Sequence, residues 1–127
     1  MKGEIKLKMF DIDYYRREDG SCPVIEFQDT LAKKIRAKLL GLQLLLERNG
    51  NELREPYSKY IEDGIFELRV NHGTNACRVL YFFMNGHKII ITNGFVKKTQ
   101  KTPRKEIELA KRYRDDYLSR REKNKHE

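Results

Sequence analysis

Three segments in the second half of the chain combine alternating apolar positions with β-branched and aromatic residues. They are Ile65 to Val70, Ala76 to Met84 and Lys88 to Phe95, and clusters of turn-forming residues separate them. Because successive residues of a strand point to opposite faces of a sheet, this pattern predicts three consecutive antiparallel strands in a meander.

The connection between the second and third of these strands contains Asn85-Gly86, a pair typical of two-residue hairpin turns. Both residues tolerate the positive φ angles that such a turn requires. A two-residue turn places Met84 opposite His87. The pairs that follow are Phe82 with Ile89, Leu80 with Ile91 and Arg78 with Asn93, with Lys97 further along the same face.

The first hairpin loop lies within residues 71–75. A loop of two or four residues places Arg69 opposite Arg78, whereas a three-residue loop would offset them, and we expect an even loop. Alternation then gives one face a core of Phe66, Leu68, Val70, Val79, Tyr81, Phe83 and Ile90. The other face carries Leu80, Phe82, Ile89 and Ile91 near the Asn-Gly turn, and Glu67, Arg69, Arg78 and Asn93 towards the other end.

Two arginines opposed across a strand pair repel each other, so their placement is informative about function. An anionic ligand would relieve the repulsion. In the alternative interpretation Glu67 pairs with one arginine while the other extends into solvent, as is common on exposed sheets. The strand pattern alone favours neither interpretation.

The first half of the chain predicts a short strand and a helical region. Ile5, Leu7 and Met9 alternate with lysines, which indicates an edge strand. A helix is expected to begin at Pro23, capped by Ser21 or Cys22, and to end at Asn49-Gly50, with a possible break near Thr30. Its apolar stripe is expected to cover one sheet face and comprises Val24, Phe27, Leu31, Ile35, Leu39, Leu42 and Leu46.

The segment from Leu53 to Glu62 contains Pro56 and is interpreted as an irregular connection. Lys59, Tyr57 and Tyr60 combine positive charge with aromatic rings, which suits backbone binding and base stacking. The simpler alternative is that the tyrosines pack the loop onto the sheet.

The carboxy-terminal segment predicts a last helix. Thr102 is expected to cap it and Pro103 to occupy its first position, with Ile107, Ala110, Tyr113 and Tyr117 as a thin apolar stripe. Residues 119–127 offer no apolar side chain and are expected to fray.

The length of 127 residues suits one domain, and the net charge of +8 is concentrated at the carboxy terminus. Residues 97–127 carry twelve Lys or Arg against six Asp or Glu. Such a segment attracts nucleic-acid phosphate or an acidic protein surface. Two cysteines and three scattered histidines indicate no disulfide framework, no metal site and no cofactor. Without an apolar leader or a membrane span, the expected location is the cytoplasm.

Three runs, GIFELR, RVLYFF and GFVKKTQKTP, resemble in order and spacing the RelE/HigB superfamily of bacterial toxins, in its phage-derived HigB-like branch. The resemblance extends over most of the chain. It implies an α+β, RelE-like fold: a mostly antiparallel four-stranded sheet, amino-terminal helices on one face and a carboxy-terminal helix.

The resemblance also implies an activity, that of a metal-independent endoribonuclease that cleaves messenger RNA in the ribosomal A site. Such cleavage uses the ribose 2′-hydroxyl as nucleophile and needs proton transfer and charge stabilisation. The family's cleft arginines correspond to Arg69 and Arg78, and its basic run to Lys97 and Lys98, of which Lys98 is assigned to catalysis. Glu67 is the candidate base. Further candidate RNA contacts are Lys59, Tyr60, Asn93 and Lys101.

The sequence departs from the family pattern at one point. Several members place a His, Asp or Tyr near the end of the last strand for proton transfer, and the corresponding run here is ITNGFVKK. Two alternatives therefore stay open: a ParE-like toxin that poisons DNA gyrase, and a non-catalytic RNA-binding regulatory module.

The expected partners follow from the same resemblance. They are the ribosome and its messenger RNA, and a cognate helix-turn-helix, HigA-like antitoxin through which the pair would bind operator DNA. No membrane partner is expected.

Overall fold

The computed structural model describes residues 10–125. The strand predicted over Ile5, Leu7 and Met9 lies outside the described residues. The elements, in chain order, are β1 (Asp11–Tyr14), α1 (Pro23–Asp29), α2 (Lys33–Asn49), β2 (Ser58–Glu62), β3 (Ile65–His72), β4 (Asn75–Met84), β5 (Lys88–Val96) and α3 (Arg104–Lys125). None of the helices in this part of the chain is long and apolar enough to cross a bilayer.

The described strands form one mixed sheet in the order β1-β5-β4-β3-β2. β1 runs parallel to β5 and the other pairs are antiparallel. The prediction of four mostly antiparallel strands is therefore corrected to five in a mixed sheet. The main error is that the segment containing β2 was predicted to be an irregular connection because of Pro56. Pro56 lies before the start of β2, so the strand keeps its backbone hydrogen bonds to β3. The hydroxyls of Ser58 and Tyr81 share a buried hydrogen bond of 2.6 Å, which fastens β2 to the sheet.

The first hairpin follows the prediction. His72 pairs with Asn75 across a two-residue loop, and Arg69 lies directly opposite Arg78. Gly73 in this loop adopts a φ of 62°, which glycine tolerates without a Cβ clash. The even loop predicted from the sequence is thus confirmed.

The register of the second hairpin is wrong in the prediction. Asn85 and Gly86 do adopt positive φ angles of 54° and 73°. However, His87 stays in the loop with its N–H donating to the Asn85 carbonyl, so Met84 pairs with Lys88. The loop therefore has three residues, and the pairs from Met84 to Tyr81 are shifted by one position.

This shift exchanges the faces of the last strand, because side chains alternate along it. Ile89 and Ile91 pack in the core beneath α1 and α2, whereas Ile90 packs beneath α3. A bulge opposite Leu80 and Tyr81 then shifts the register again, so that Arg78 pairs with Phe95 and not with Asn93.

The amino-terminal helices cover one face of the sheet. α1 begins with Pro23, follows Cys22 without a side-chain cap, and ends before the predicted break at Thr30. α2 ends at Asn49, as expected. This core contains Val24, Leu31, Ile35, Leu39, Leu46, Leu68, Val70, Cys77, Val79, Tyr81, Ile89 and Ile91, with Cys22 at its edge.

The carboxy-terminal helix covers the opposite face. Its core contains Ala110, Tyr15, Ile65, Leu80, Phe82, Ile90 and Phe95. The helix runs to Lys125 in the described residues, beyond the last position of its apolar stripe, and fraying of residues 119–127 stays a prediction. Arg120 explains this extension: it pairs with Asp116 at 2.7 Å and lies 5.4 Å from the centre of the Tyr15 ring.

An ion network ties α3 to the β2–β3 turn. Glu62 binds Arg104 at 2.5 Å and Lys111 at 2.7 Å, while Arg114 binds Asp63 at 2.8 Å. Hydrogen bonds, first from Arg104 and then from Lys111, lower the pKa of Glu62 from 4.5 to about 2.

We expect this network to make the stability of the folded chain depend on pH in the acidic range. Because the folded pKa of Glu62 lies below its unfolded value, the unfolded chain takes up the proton first, and stability falls as pH drops from about 5 to about 2. Glu62→Gln should flatten the melting temperature against pH in that window, as measured by circular dichroism. Glu52→Gln removes an equally charged exposed group and is the control. Parallel profiles for wild type and Glu62→Gln would contradict the expectation.

Candidate functional site

A cluster of charged residues occupies one end of the sheet face that α3 covers. Glu67 and Arg69 project from β3, and Arg78 projects from β4 opposite Arg69. The sheet brings these three predicted residues together because 67 and 69 are two positions apart on one strand. Oε1 of Glu67 lies 3.5 Å from Nε of Arg69 and 3.6 Å from Nε of Arg78.

The two arginines differ in their exposure. Arg78 is 4% exposed, and its Nη1 donates to the Cys77 carbonyl at 2.9 Å and to Oδ1 of Asn71 at 3.2 Å. Burial lowers the pKa of Arg78, the nearby Glu67 raises it, and Arg69 lowers it further. Arg78 is thus a fixed, desolvated cation at the base of the site.

Arg69 is the arginine that reaches solvent. Its side chain is 22% exposed, and its Nη1 lies 3.4 Å from Oε1 of Glu55, a carboxylate that is itself 65% exposed. A contact of that length with a solvated carboxylate is weak. The guanidinium of Arg69 can therefore exchange Glu55 for another anion at little cost.

The carboxylate of Glu67 links the arginines to the segment between β5 and α3. The hydroxyl of Thr102 donates to Oε2 of Glu67 at 2.5 Å, and Glu67 is 3% exposed. Thr102 therefore does not cap the helix, which begins at Arg104, one residue after the predicted position. The Thr102 hydroxyl instead anchors residues 97–103, called here the lysine loop, against the sheet.

The lysine loop and β2 form the walls of a cleft of about 710 Å³. The predicted residues that line it are Lys59, Tyr60, Glu67, Arg69 and Lys101. A narrow pocket next to the cleft is lined by Arg78, Lys97 and Lys98 and shares Glu67, Lys101 and Thr102 with it. Eight of the nine predicted site residues therefore line two adjoining hollows.

Tyr60 presents the aromatic surface of this site. It is 54% exposed on the edge strand, and its hydroxyl accepts a hydrogen bond from the Gly64 N–H at 3.1 Å. The ring packs edge-on against Phe66 with the centroids 5.1 Å apart. Tyr60 pairs with Phe66, which packs on the core beneath α1 and α2, so the ring leans towards that face while Lys59, paired with Glu67, lies on the cleft face.

Asn93 is the predicted site residue that the structure does not bring to the cleft. It is 3% exposed, and its Nδ2 donates to the Glu106 carbonyl and side chain at 3.2 and 3.1 Å. The register error accounts for this, because Asn93 pairs with Leu80 and not with Arg78. Its amide anchors the first turn of α3.

Sequence reasoning missed Thr102, Asn71 and Glu55 as members of the site. Asn71 follows Glu67 and Arg69 in the same period of two, so its contact with Arg78 was available from the pattern. Thr102 and Glu55 carry no such signal, because they reach Glu67 and Arg69 respectively from segments outside the strands.

The side chains of the two cysteines lie in the core on the other face of the sheet. Cys22 and Cys77 are free and buried, and burial raises the pKa of Cys77 to about 11. In residues 10–125 no group of three or more His, Cys, Asp or Glu side chains is placed to hold a metal ion.

The fold and the site define a small α+β protein whose cationic cleft is built on an opposed arginine pair. The family model described as "Phage derived protein Gp49-like" matches residues 26–115. Two curated relatives, from two strains of Mycobacterium tuberculosis, are each described as "Probable endoribonuclease HigB1". Each is 33% identical over 99 residues, which cover 76% of this chain and 76% of the relative. The chain therefore belongs to the phage-derived, Gp49-like family of HigB-like toxins.

Proposed function

We propose that this chain is the toxin of a type II toxin-antitoxin system and that it inhibits translation as an endoribonuclease. The observation that carries the proposal is the opposed pair Arg69 and Arg78, held around Glu67 at the base of a cleft lined by lysines. The description of the M. tuberculosis relatives as endoribonucleases supports it. We further propose that the fold is RelE-like.

The proposed substrate is messenger RNA on the ribosome in the cytoplasm. A guanidinium fork binds two phosphate oxygens at once, and Arg69 has the exposure that this requires. Lys59, Lys97 and Lys101 line the adjoining hollows and would hold the flanking phosphates. The exposed ring of Tyr60 would stack on a base.

The proposed reaction is attack of the 2′-hydroxyl on the adjacent phosphate, without a metal. Arg69 would stabilise the charge that develops on the phosphorane, and buried Arg78 would add positive potential from behind. Glu67 would take the 2′-hydroxyl proton, with the Thr102 hydroxyl fixing the orientation of its carboxylate. Lys98, exposed at the narrow pocket, would protonate the leaving 5′-oxygen.

The proposed partner is a cognate antitoxin of the helix-turn-helix, HigA-like kind. Family membership supports a partner of this type, because a toxin requires neutralisation in the cell that makes it. The operator would be bound through the antitoxin.

The test is to add the purified chain to a reconstituted translation reaction and to measure the length of the messenger RNA after the reaction is stopped. We expect messenger RNA to be cleaved at ribosome-bound codons. The fragments should carry 2′,3′-cyclic phosphate ends, which are the product of attack by the 2′-hydroxyl without a metal. A parallel reaction with DNA gyrase and supercoiled plasmid should show no trapped breaks. Intact messenger RNA together with gyrase-dependent breaks would replace this function by the ParE-like one. RNA binding without cleavage would leave a regulatory module.

A further inference from the structure

The outer face of α2 carries an exposed apolar stripe. Ala37, Leu40, Gly41 and Leu44 follow one another at spacings of three, one and three residues, and all four are exposed. Leu40 is 42% and Leu44 59% exposed, although the opposite face of the same helix is already buried in the core. A helix that is apolar on two faces commonly has a second packing partner.

The shape of the stripe fits another helix. A Cβ added at Gly41 would meet no atom within 4 Å, so a partner backbone can approach α2 closely there. Beside Leu40 and Leu44 lies a hollow of about 400 Å³, also lined by Ile12 and Tyr14 of β1, which can receive one anchoring side chain. Spacings of three and four residues match the ridges and grooves of helix packing.

The nearby edge of β1 is a poorer docking element. The strand has four residues, and the Tyr14 N–H already donates to Oδ1 of Asp13 at 2.9 Å, so it is not free to donate to an added strand. An added strand would gain few backbone hydrogen bonds at this edge. The geometry therefore favours a helix over a strand as the occupant.

The charge of α2 selects the kind of partner. The helix carries five Lys or Arg side chains against one Glu, a net charge of +4, with Lys33 and Arg48 at the two ends of the stripe. A second copy of the chain would bring these like charges together, which disfavours self-association. RNA would satisfy the cations but would leave Leu40 and Leu44 without apolar contacts. An amphipathic helix with acidic ends satisfies both.

We propose that the outer face of α2 is the docking surface for one amphipathic helix of an acidic protein partner. The proposal rests on the proposed function in one respect: that partner is the antitoxin. α2 packs on the sheet face opposite α3, whereas Arg69 and the lysine loop lie on the α3 side. The partner would thus leave the cleft open and inhibit by preventing the chain from entering the ribosome.

The test uses the purified protein encoded by the reading frame adjacent to the gene of this chain. Calorimetry should show that Leu40→Asp combined with Leu44→Asp weakens its binding by at least about 100-fold. Gly41→Leu should weaken binding by obstruction while leaving the melting temperature unchanged or higher, because the site has room for the side chain and leucine favours helix. Leu118→Asp, 41% exposed on α3, is the matched control and should bind as wild type does.

Hydrogen exchange should show that complex formation slows amide exchange in α2 and leaves the exchange rates of β2 and the lysine loop unchanged. Wild-type affinity in the α2 variants, protection confined to the cleft, or failure of the wild type to bind this protein would each overturn the proposal. The proposal would also be overturned if the main effect of the α2 variants were the loss of a homodimer or the loss of RNA binding. Growth inhibition by the free chain is measured separately, and all three variants should retain it. Binding at α2 without growth inhibition by any of the proteins would refute the proposed function and leave the docking surface standing.

Discussion

Arg69→Ala is expected to reduce RNA cleavage by about 100- to 1000-fold, the usual effect of removing one donor that stabilises transition-state charge. The change should also abolish growth inhibition. Arg69 is the member of the arginine pair that lines the open cleft, and its side chain is 22% exposed. Folding should survive, because the substitution removes a partly solvated cation and relieves its repulsion with Arg78.

The measurement is cleavage in the translation reaction, together with growth at matched expression and a thermal melt. Arg69→Lys keeps the charge but loses the planar fork, so an intermediate rate is expected. Arg54→Ala removes an exposed arginine that does not line the cleft and serves as the control. A folded Arg69→Ala protein that remained fully toxic would rule out the arginine site.

Glu67→Leu is expected to lower the free energy of unfolding by about 3–5 kcal/mol, the typical cost of leaving a buried charge without its partner. Arg78 is 4% exposed and faces Arg69, with the Glu67 carboxylate between them. Removing the carboxylate leaves two opposed cations in a poorly solvated environment.

Urea unfolding at constant ionic strength measures this loss, and the choice of anion adds a second readout. An anion that binds only the folded state stabilises it by mass action. Phosphate in place of chloride should therefore restore stability to Glu67→Leu more than to wild type. Adding Arg78→Leu should also recover much of the loss, since the double variant leaves no unpaired buried cation. A change below about 1 kcal/mol would show that Glu67 does not hold the pair together.

Local patterns were sufficient for most of the strands and for the central pair of the site. The period of two assigned β3, β4 and β5, and an even loop placed Arg69 opposite Arg78. The period of three to four residues assigned the buried stripe of α2. These features depend on residues close together in the chain, where steric rules and alternation act directly.

Other features required the complete fold, because contacts between distant segments determine them. The position of His87 in the turn changed the face of Ile89, and together with the bulge opposite Leu80 and Tyr81 it moved Asn93 away from the cleft. β2 is a strand because β3 offers it an edge, in spite of Pro56.

The same reason explains the ends of α3 and the burial of Arg78. From the sequence alone Thr102 is a suitable helix cap, and only its proximity to Glu67 in the fold decided its role. Arg120 finds Tyr15 across the fold and extends the last helix beyond its apolar stripe. The chain thus encodes its charged residues locally, but tertiary packing decides which of them are buried, paired or open to a ligand.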